Sequence, residues 1–362
     1  PDPDAVCRND VDVFVVVDGK DYQKTLEVAK KYSISGVVTA ATDKPLVMMA
    51  RIAAELRLPF YSVETAERST DKYKMKQCFL EAGIPCAQGR LATSVEDVAD
   101  FNLPVIVKPR DSSGSRGVKL CKNREDLQTC LDEALQYSHL SSVLVEEFID
   151  GMEYSIESLH YAGKTDVLQF TEKRTTPFPY NVELGHKQPA NLTTKQCNDI
   201  RHIINNIAAA LHFENCSSHT ELKINDRGIF VIETSPRLGG DYITSALVPL
   251  STGINMEDQM LNIALGDTVD ITTGRMEKAS GICFFSLPEG RLKRIDNAIN
   301  DVLNWPNVVD FKFKLRINGV THNITNSLDR YGYLIVSADN RQDVDHLLMQ
   351  YENTISDFLD IE

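Results

Sequence analysis

Residues 103–120 read Leu-Pro-Val-Ile-Val-Lys-Pro-Arg-Asp-Ser-Ser-Gly-Ser-Arg-Gly-Val-Lys-Leu. An apolar run, 105–107, ends in Lys108. Small polar residues follow over 111–117, and apolar character returns at Val118. β-Branched residues on both sides of a glycine–serine loop predict strand, loop, strand. A phosphate loop of the form G-x-x-x-x-G-K-[ST] instead opens a helix, and that pattern is absent from the chain. Gly114 and Gly117 let backbone N–H groups turn toward an anion, and Ser112, Ser113 and Ser115 add hydroxyl donors. Lys108 and Arg116 add positive charge. The same residues also suit an ordinary hairpin loop, and alone they leave both readings open.

The surrounding chain is 362 residues long, which predicts two or three domains. Hydrophobic residues make up 42% and charged residues 25%, as in ordinary globular proteins. The net charge of −14 argues against a nucleic-acid partner, and an acidic substrate would need a local basic site. No apolar run reaches the ~18 residues of a membrane span, so no membrane association is expected. Eight cysteines are scattered without a Cys-x-x-Cys pair. That pattern favours a reducing cytoplasm over zinc or a disulfide framework.

Upstream, residues 11–17 and 34–39 read as strands, and 22–32 and 45–58 as helices. This alternation predicts parallel strands with crossovers. No G-x-G-x-x-G follows the first strand, so a dinucleotide fingerprint is missing. The chain opens Pro-Asp-Pro-Asp without a Met. With one βα unit absent from its start, the first domain is expected to be a partial doubly wound sheet. Asp71 is placed as the N-cap of a helix to about Ala82, stopped by Gly83, and Ser94 with Asp97 resembles a capping box.

Downstream, 125–140 is an amphipathic helix and 143–149 a strand ending Glu146-Glu147-Phe148-Ile149-Asp150-Gly151. Residues 153–159 and 165–172 are strands, and 195–211 a long helix. Residues 220–224 and 229–233 form a hairpin around Asn225-Asp226-Arg227-Gly228. From about residue 271 the pattern gives strands at 282–287, 308–317 and 331–337, with helices at 294–303 and 341–358.

Glu221 and Glu233 stand on the two arms of that hairpin, where they can lie side by side on one face. Two like charges held together call for a divalent cation, and hard oxygen ligands without a Cys–His set suit Mg²⁺ or Mn²⁺. The plainer alternative is two charged strand residues with one in solvent.

The order of these features resembles the ATP-grasp superfamily. A lysine ends an apolar strand before a Gly/Ser loop, a later strand ends Glu-Glu-Phe-Ile-Asp-Gly-x-Glu, and a Glu…Glu pair precedes Arg237. The resemblance covers roughly residues 70–266. It is nearer still to the carboxylate–amine ligase branch, with L-amino-acid ligases and carbamoyl-phosphate-synthase-like proteins. There an Arg-x-Gly-Gly-Asp stretch (here Arg237 to Asp241) follows the second metal carboxylate, and an E-x-G-H-x-x-P-A segment (here Glu183 to Ala190) precedes the long helix.

The resemblance implies an α/β (α+β) chain with an ATP-grasp fold. Its expected parts are an N-terminal partial doubly wound parallel-sheet domain at 1–69, an ATP-grasp domain at 70–270 with a mobile nucleotide-binding lobe at 103–150, and a C-terminal α/β subdomain at 271–362. It implies ATP and Mg²⁺ (or Mn²⁺) as cofactors. Lys72 and Lys108 would contact ATP phosphates, with the loop Ser112, Ser113, Gly114, Ser115, Gly117 closing over them. Glu146 would meet the adenine edge, Glu147, Phe148 and Ile149 would form the hinge, and Glu153 would bind ribose hydroxyls. Glu221 and Glu233 would hold the metal. Ser235, where many members carry Asn, is a candidate third ligand. Arg237, with Lys108, would serve catalysis at the transferring phosphoryl group. Lys173, Glu183, His186, Gly239, Gly240 and Asp241 are the substrate candidates, with Lys173 expected to attract a carboxylate and Asp241 to bind the amine. His160, His202, His212 and His219 are read as structural.

The implied activity joins a small-molecule carboxylic acid, amino acids among them, to an amine through an acyl phosphate. Competing readings are an ATP-grasp carboxylase or formyl-transferring enzyme, and a non-catalytic ATP-binding module. A homodimer is a family-level expectation.

Overall fold

The structure is a computed structural model, which describes residues 2–112, 114 and 116–362. Ser113 and Ser115, assigned above to the phosphate loop, lie outside the described residues. Among the described residues two antiparallel sheets carry the molecule. The smaller is ordered Gly89–Ala92, Val143–Glu147, Val105–Pro109, Lys119–Cys121. Val105 to Val107 pair with Lys119 to Cys121 in reverse order, so residues 103–120 do form strand, loop, strand. The helix Leu127–Gln136 covers one face, where Leu127, Leu131 and Ala134 bury against Val105, Val107 and Val145. Their helical spacing is the amphipathic stripe read from the sequence.

The larger sheet has eight strands, ordered Val308–Phe313, Gly332–Ala338, Ala279–Phe284, Glu183–Gln188, Lys164–Thr175, Met152–Tyr161, Cys216–Asn225, Gly228–Ser235. The helix Thr194–Leu211 lays Ile200, Ile203, Ile204, Ile207 and Leu211 on this sheet with Phe79 of the helix Lys72–Glu81. Thr193 and Gln196 close the start of the long helix with a capping box. Asp71 caps the shorter one by accepting from the N–H groups of Tyr73 and Lys74, as its sequence position predicts.

Two expectations need correction. Residues 2–69 hold the helices Tyr22–Lys31, Leu46–Leu56 and Val63–Thr70, but among the described residues no strand ladder. Residues 11–17 and 34–39 run outside any strand, with Val11, Val13, Val15 and Val16 exposed. The single pairing of this region is an isolated parallel bridge from Ala40 to Leu238. Alternating valines state a preference for extended backbone, but a strand exists only where a neighbour takes its hydrogen bonds. In the C-terminal region, residues 294–303 are not one helix. Gly290–Ile295 is a strand and Asn297–Asn304 a 3₁₀ segment started by Asp296, which accepts from Ala298 N–H. Three C-terminal strands join the larger sheet directly, with Ile282 opposite His186.

Candidate active site

The site begins with a defect in the hairpin. Leu222 pairs with Val231, but Glu221 pairs with Glu233, so Ile232 is an extra residue in its strand. A one-residue bulge reverses which face the next side chains take. Here it brings two carboxylates opposite each other, where an unbroken ladder would have set Glu221 against Ile232. Their side chains are 26% and 32% exposed, and they form the wall shared by two clefts.

The first cleft, with about 940 Å³ of empty volume including its open mouth, lies between the two sheets. Lys72, Lys108, Ser112, Gly114, Glu147, Phe148, Ile149 and Glu153 all line it. Lys72 forms an ion pair with Glu233. Burial pulls the Lys72 ammonium toward neutrality, but Glu233 outweighs it and raises its pKa. Gly117 has φ +75°, and a Cβ there would stand 2.8 Å from Tyr137 and 2.9 Å from Pro109. This glycine is therefore required by both backbone and space.

Glu146 departs from expectation. Its carboxylate is buried between Lys76 Nζ at 2.8 Å and Lys108 Nζ at 2.6 Å. Burial opposes its charge, and the two ammoniums more than restore it, so its pKa is lowered. These ion pairs hold Lys108 against Glu146, which itself lines the cleft, although its Oε1 accepts no hydrogen bond. At the mouth, Phe148 meets Phe178 edge-on with ring centroids 5.4 Å apart, and Lys223 Nζ lies 5.4 Å from each ring. Glu153 accepts from Asn181 Nδ2 at 2.9 Å and pairs with Lys223 at 3.2 Å.

The second cleft, about 910 Å³ by the same measure, is lined by Lys173, Glu183, His186, His219, Arg237, Gly240 and Asp241. Lys173 does not stand open to a substrate carboxylate. Its ammonium donates to Glu221 Oε1 at 2.9 Å and Glu183 Oε1 at 3.4 Å, with Glu153 Oε2 at 3.9 Å. Burial opposes ionisation of Glu221, yet Lys173 and His219 hold its carboxyl well below the usual range. Ser235 is also placed differently. Its hydroxyl donates to Asp43 Oδ1 at 2.6 Å, the same oxygen that accepts from Arg237 Nε at 3.0 Å. Asp241, expected to bind an amine, has both oxygens taken by Arg330 at 2.7 and 2.8 Å. His186 is buried, with Nε2 3.5 Å from Asp241 Oδ2 and no hydrogen bond on either ring nitrogen. A Cβ on Gly239 would stand 2.8 Å from His219 Nδ1 and 2.9 Å from Glu157 Oε2, so only glycine fits.

Four contributors escaped the sequence reading. Asp43, Lys76 and Arg330 reach the site from distant chain positions, with no local pattern to mark them. His219, read as structural, sends Nδ1 to Glu157 Oε1 at 2.6 Å, with Nε2 3.4 Å from Glu221 Oε1. Its strand position two residues from Glu221 puts both on one face, a signal that was available. Among the described residues no group of three or more His, Cys, Asp or Glu side chains is arranged as a metal centre. Glu221 and Glu233 offer the hard oxygen ligands that suit a divalent cation.

Comparison with known proteins agrees with this geometry. Residues 101–245 match the ATP-grasp domain family. The chain is 27% identical over 336 residues to the Sinorhizobium fredii protein called uncharacterized protein y4rH, covering 91% of this chain and 69% of that one. It is 25% identical over 285 residues to alanine–anticapsin ligase of Bacillus amyloliquefaciens, covering 71% of this chain and 59% of that ligase. The solved L-amino acid ligase of Bacillus licheniformis superposes with a TM-score of 0.80 at 21% identity, over 95% of this chain and 85% of that structure. The family match thus spans the strand, loop and hairpin that build the two clefts. The Bacillus amyloliquefaciens and Bacillus licheniformis proteins are both named as ligases.

Proposed function

We propose that this protein joins a small carboxylic acid to an amine through an acyl-phosphate intermediate, with ATP converted to ADP and phosphate. The observation that carries the reading is the Glu221–Glu233 pair, set by a bulge on the wall between a lysine-lined cleft and a charged substrate cleft. In the first cleft, Lys72 and Lys108 neutralise phosphate charge and the hinge at Glu147, Phe148 and Ile149 receives the base. Glu153 serves the ribose, and the loop with Ser112, Gly114 and Gly117 covers the phosphates. Glu221 and Glu233 would hold Mg²⁺, which when bound neutralises the terminal phosphates.

In the second cleft Arg237 faces the acid. A carboxylate oxygen of the acid attacks the γ-phosphorus, the bond to the β-phosphate oxygen breaks, and ADP leaves. The amine nitrogen then attacks the acyl carbon, the bond to phosphate breaks, and the amine loses a proton. Phosphoryl transfer of this kind rests on positioning and charge neutralisation, which lysines, an arginine and paired carboxylates supply. Water competes for an acyl phosphate, so a covering loop has a direct purpose. Lys173 and Glu183 set the charge of the acid-side wall, and His186 and Asp241 line the amine side. The eight cysteines are all free thiols, which fits a reducing cytoplasm.

The test is a phosphate-release screen of carboxylic acids against amines with Mg-ATP, and of acids with hydroxylamine, which traps acyl phosphates as hydroxamates. Release that needs both partners supports the reading. Release driven by bicarbonate alone points to a carboxylase, and tight ADP binding without turnover on any pair points to a binding module.

A further inference from the structure

Every acidic side chain on the wall of the substrate cleft has a cation supplied by the fold. Asp43 pairs with Arg237, Glu183 and Glu221 with Lys173, and Glu233 with Lys72. Asp241 is matched from outside the residues of the family match, by Arg330. The fit is close. Arg330 Nη2 and Nη1 grip the two carboxylate oxygens, Nε donates to Ser327 O at 2.8 Å, and the guanidinium lies 3.7 Å over the Phe284 ring. Asp241 also sits where side chains seldom sit: φ is +52° there and +64° at Tyr242. Two adjacent left-handed residues without glycine persist only where the surroundings over-determine them. The Arg330 grip is such a constraint, and it fixes one carboxylate on the cleft wall with its charge cancelled.

We propose that Arg330 is a specificity-determining residue: by neutralising Asp241 on the wall of the substrate cleft, it makes the cleft select substrates with an uncharged tail over those with a cationic tail. The inference rests on the ligase reading for where the substrate sits. A guanidinium already on both oxygens leaves no acceptor for an incoming ammonium, and adds a like charge against it. Without Arg330, the carboxylate would face the cleft with only His186 at 3.5 Å. A cationic substrate could then take the place of the missing guanidinium.

The test uses two amino acids of nearly equal shape, norleucine and lysine. Selectivity is the ratio of their kcat/KM values in phosphate release, and separately of their affinities by calorimetry with Mg-ADP present. Arg330→Ala should shift both ratios toward lysine by about tenfold. Arg330→Gln, which keeps bulk and some hydrogen bonding, should shift them the same way. Arg330→Lys should stay near the wild type. The double variant Asp241→Asn with Arg330→Ala should return to the wild-type ratio, which a merely structural role of Arg330 would not produce. An unchanged ratio in Arg330→Ala and Arg330→Gln proteins that still bind ADP overturns the proposal, as does a wild type that binds neither amino acid. A shift in binding without phosphate release keeps the proposal and sinks the ligase reading.

Discussion

Glu146 and the pair Glu221/Glu233 invite comparison, because all three are strand glutamates with lysine partners on the wall of one cleft. Glu146 is 6% exposed and lies between two lysines as buried as itself. Glu221 and Glu233 are 26% and 32% exposed and face each other. A buried carboxylate between two ammoniums has its charge balanced inside the protein. Glu221 and Glu233 each have a cation as well, but they face each other and are partly open, so a ligand can reach both at once. Residue type alone does not separate these fates; burial and the neighbouring charge do.

Substitutions should split along that line. Glu233→Gln should cut phosphate release by about 10²–10³-fold while the urea midpoint barely moves. Glu146→Ala should do the reverse in stability, costing about 3–5 kcal/mol in urea unfolding, because Lys76 and Lys108 are left buried and unpaired. If Glu233→Gln unfolds the protein, or Glu146→Ala leaves it as stable as the wild type, the comparison fails. Lys76→Met leaves Lys108 as the only partner of Glu146. It should cost about 1–3 kcal/mol and raise the KM for ATP several-fold through misplacement of Lys108.

Acid titration gives the smallest effect. The Glu146 carboxyl is held below its ordinary 4.5 in the folded chain, so its stabilisation is complete above that value and is lost as pH falls through the folded pKa. Unfolding free energy measured from pH 6 downward should fall less steeply in Glu146→Gln, once its lower starting stability is subtracted. An equal slope in both proteins would show that the ion pairs carry no pH linkage.

Much of this site was legible where the information is local. The tight turn made it legible that Glu221 and Glu233 lie near each other, but their exact opposition depends on the extra residue Ile232, which a strict period of two does not contain. The Asp71 cap follows from the residue at a helix start. The strand-loop-strand at 103–120 follows from β-branched runs around glycines. The rest depends on partners far along the chain. Nothing near Glu146 announces that Lys76 will meet it, nor anything near Ser235 that its hydroxyl will donate to Asp43, 192 residues away. The valines at 11–17 carry a strand's composition without a strand's neighbour. Lys173, expected to attract a substrate carboxylate, is instead surrounded by three carboxylates of the chain itself.

The larger sheet carries one further consequence. The strand Glu183–Gln188 is flanked by Lys164–Thr175 on one side and Ala279–Phe284 on the other. A chain shortened to end near residue 270 would not simply lose an appendage. It would strip one flank of a central strand and uncover a row of N–H and C=O groups, a template for edge-to-edge aggregation. The C-terminal segment is thus a seal on the sheet as well as the source of Arg330, and a shortened fragment would be expected to self-associate.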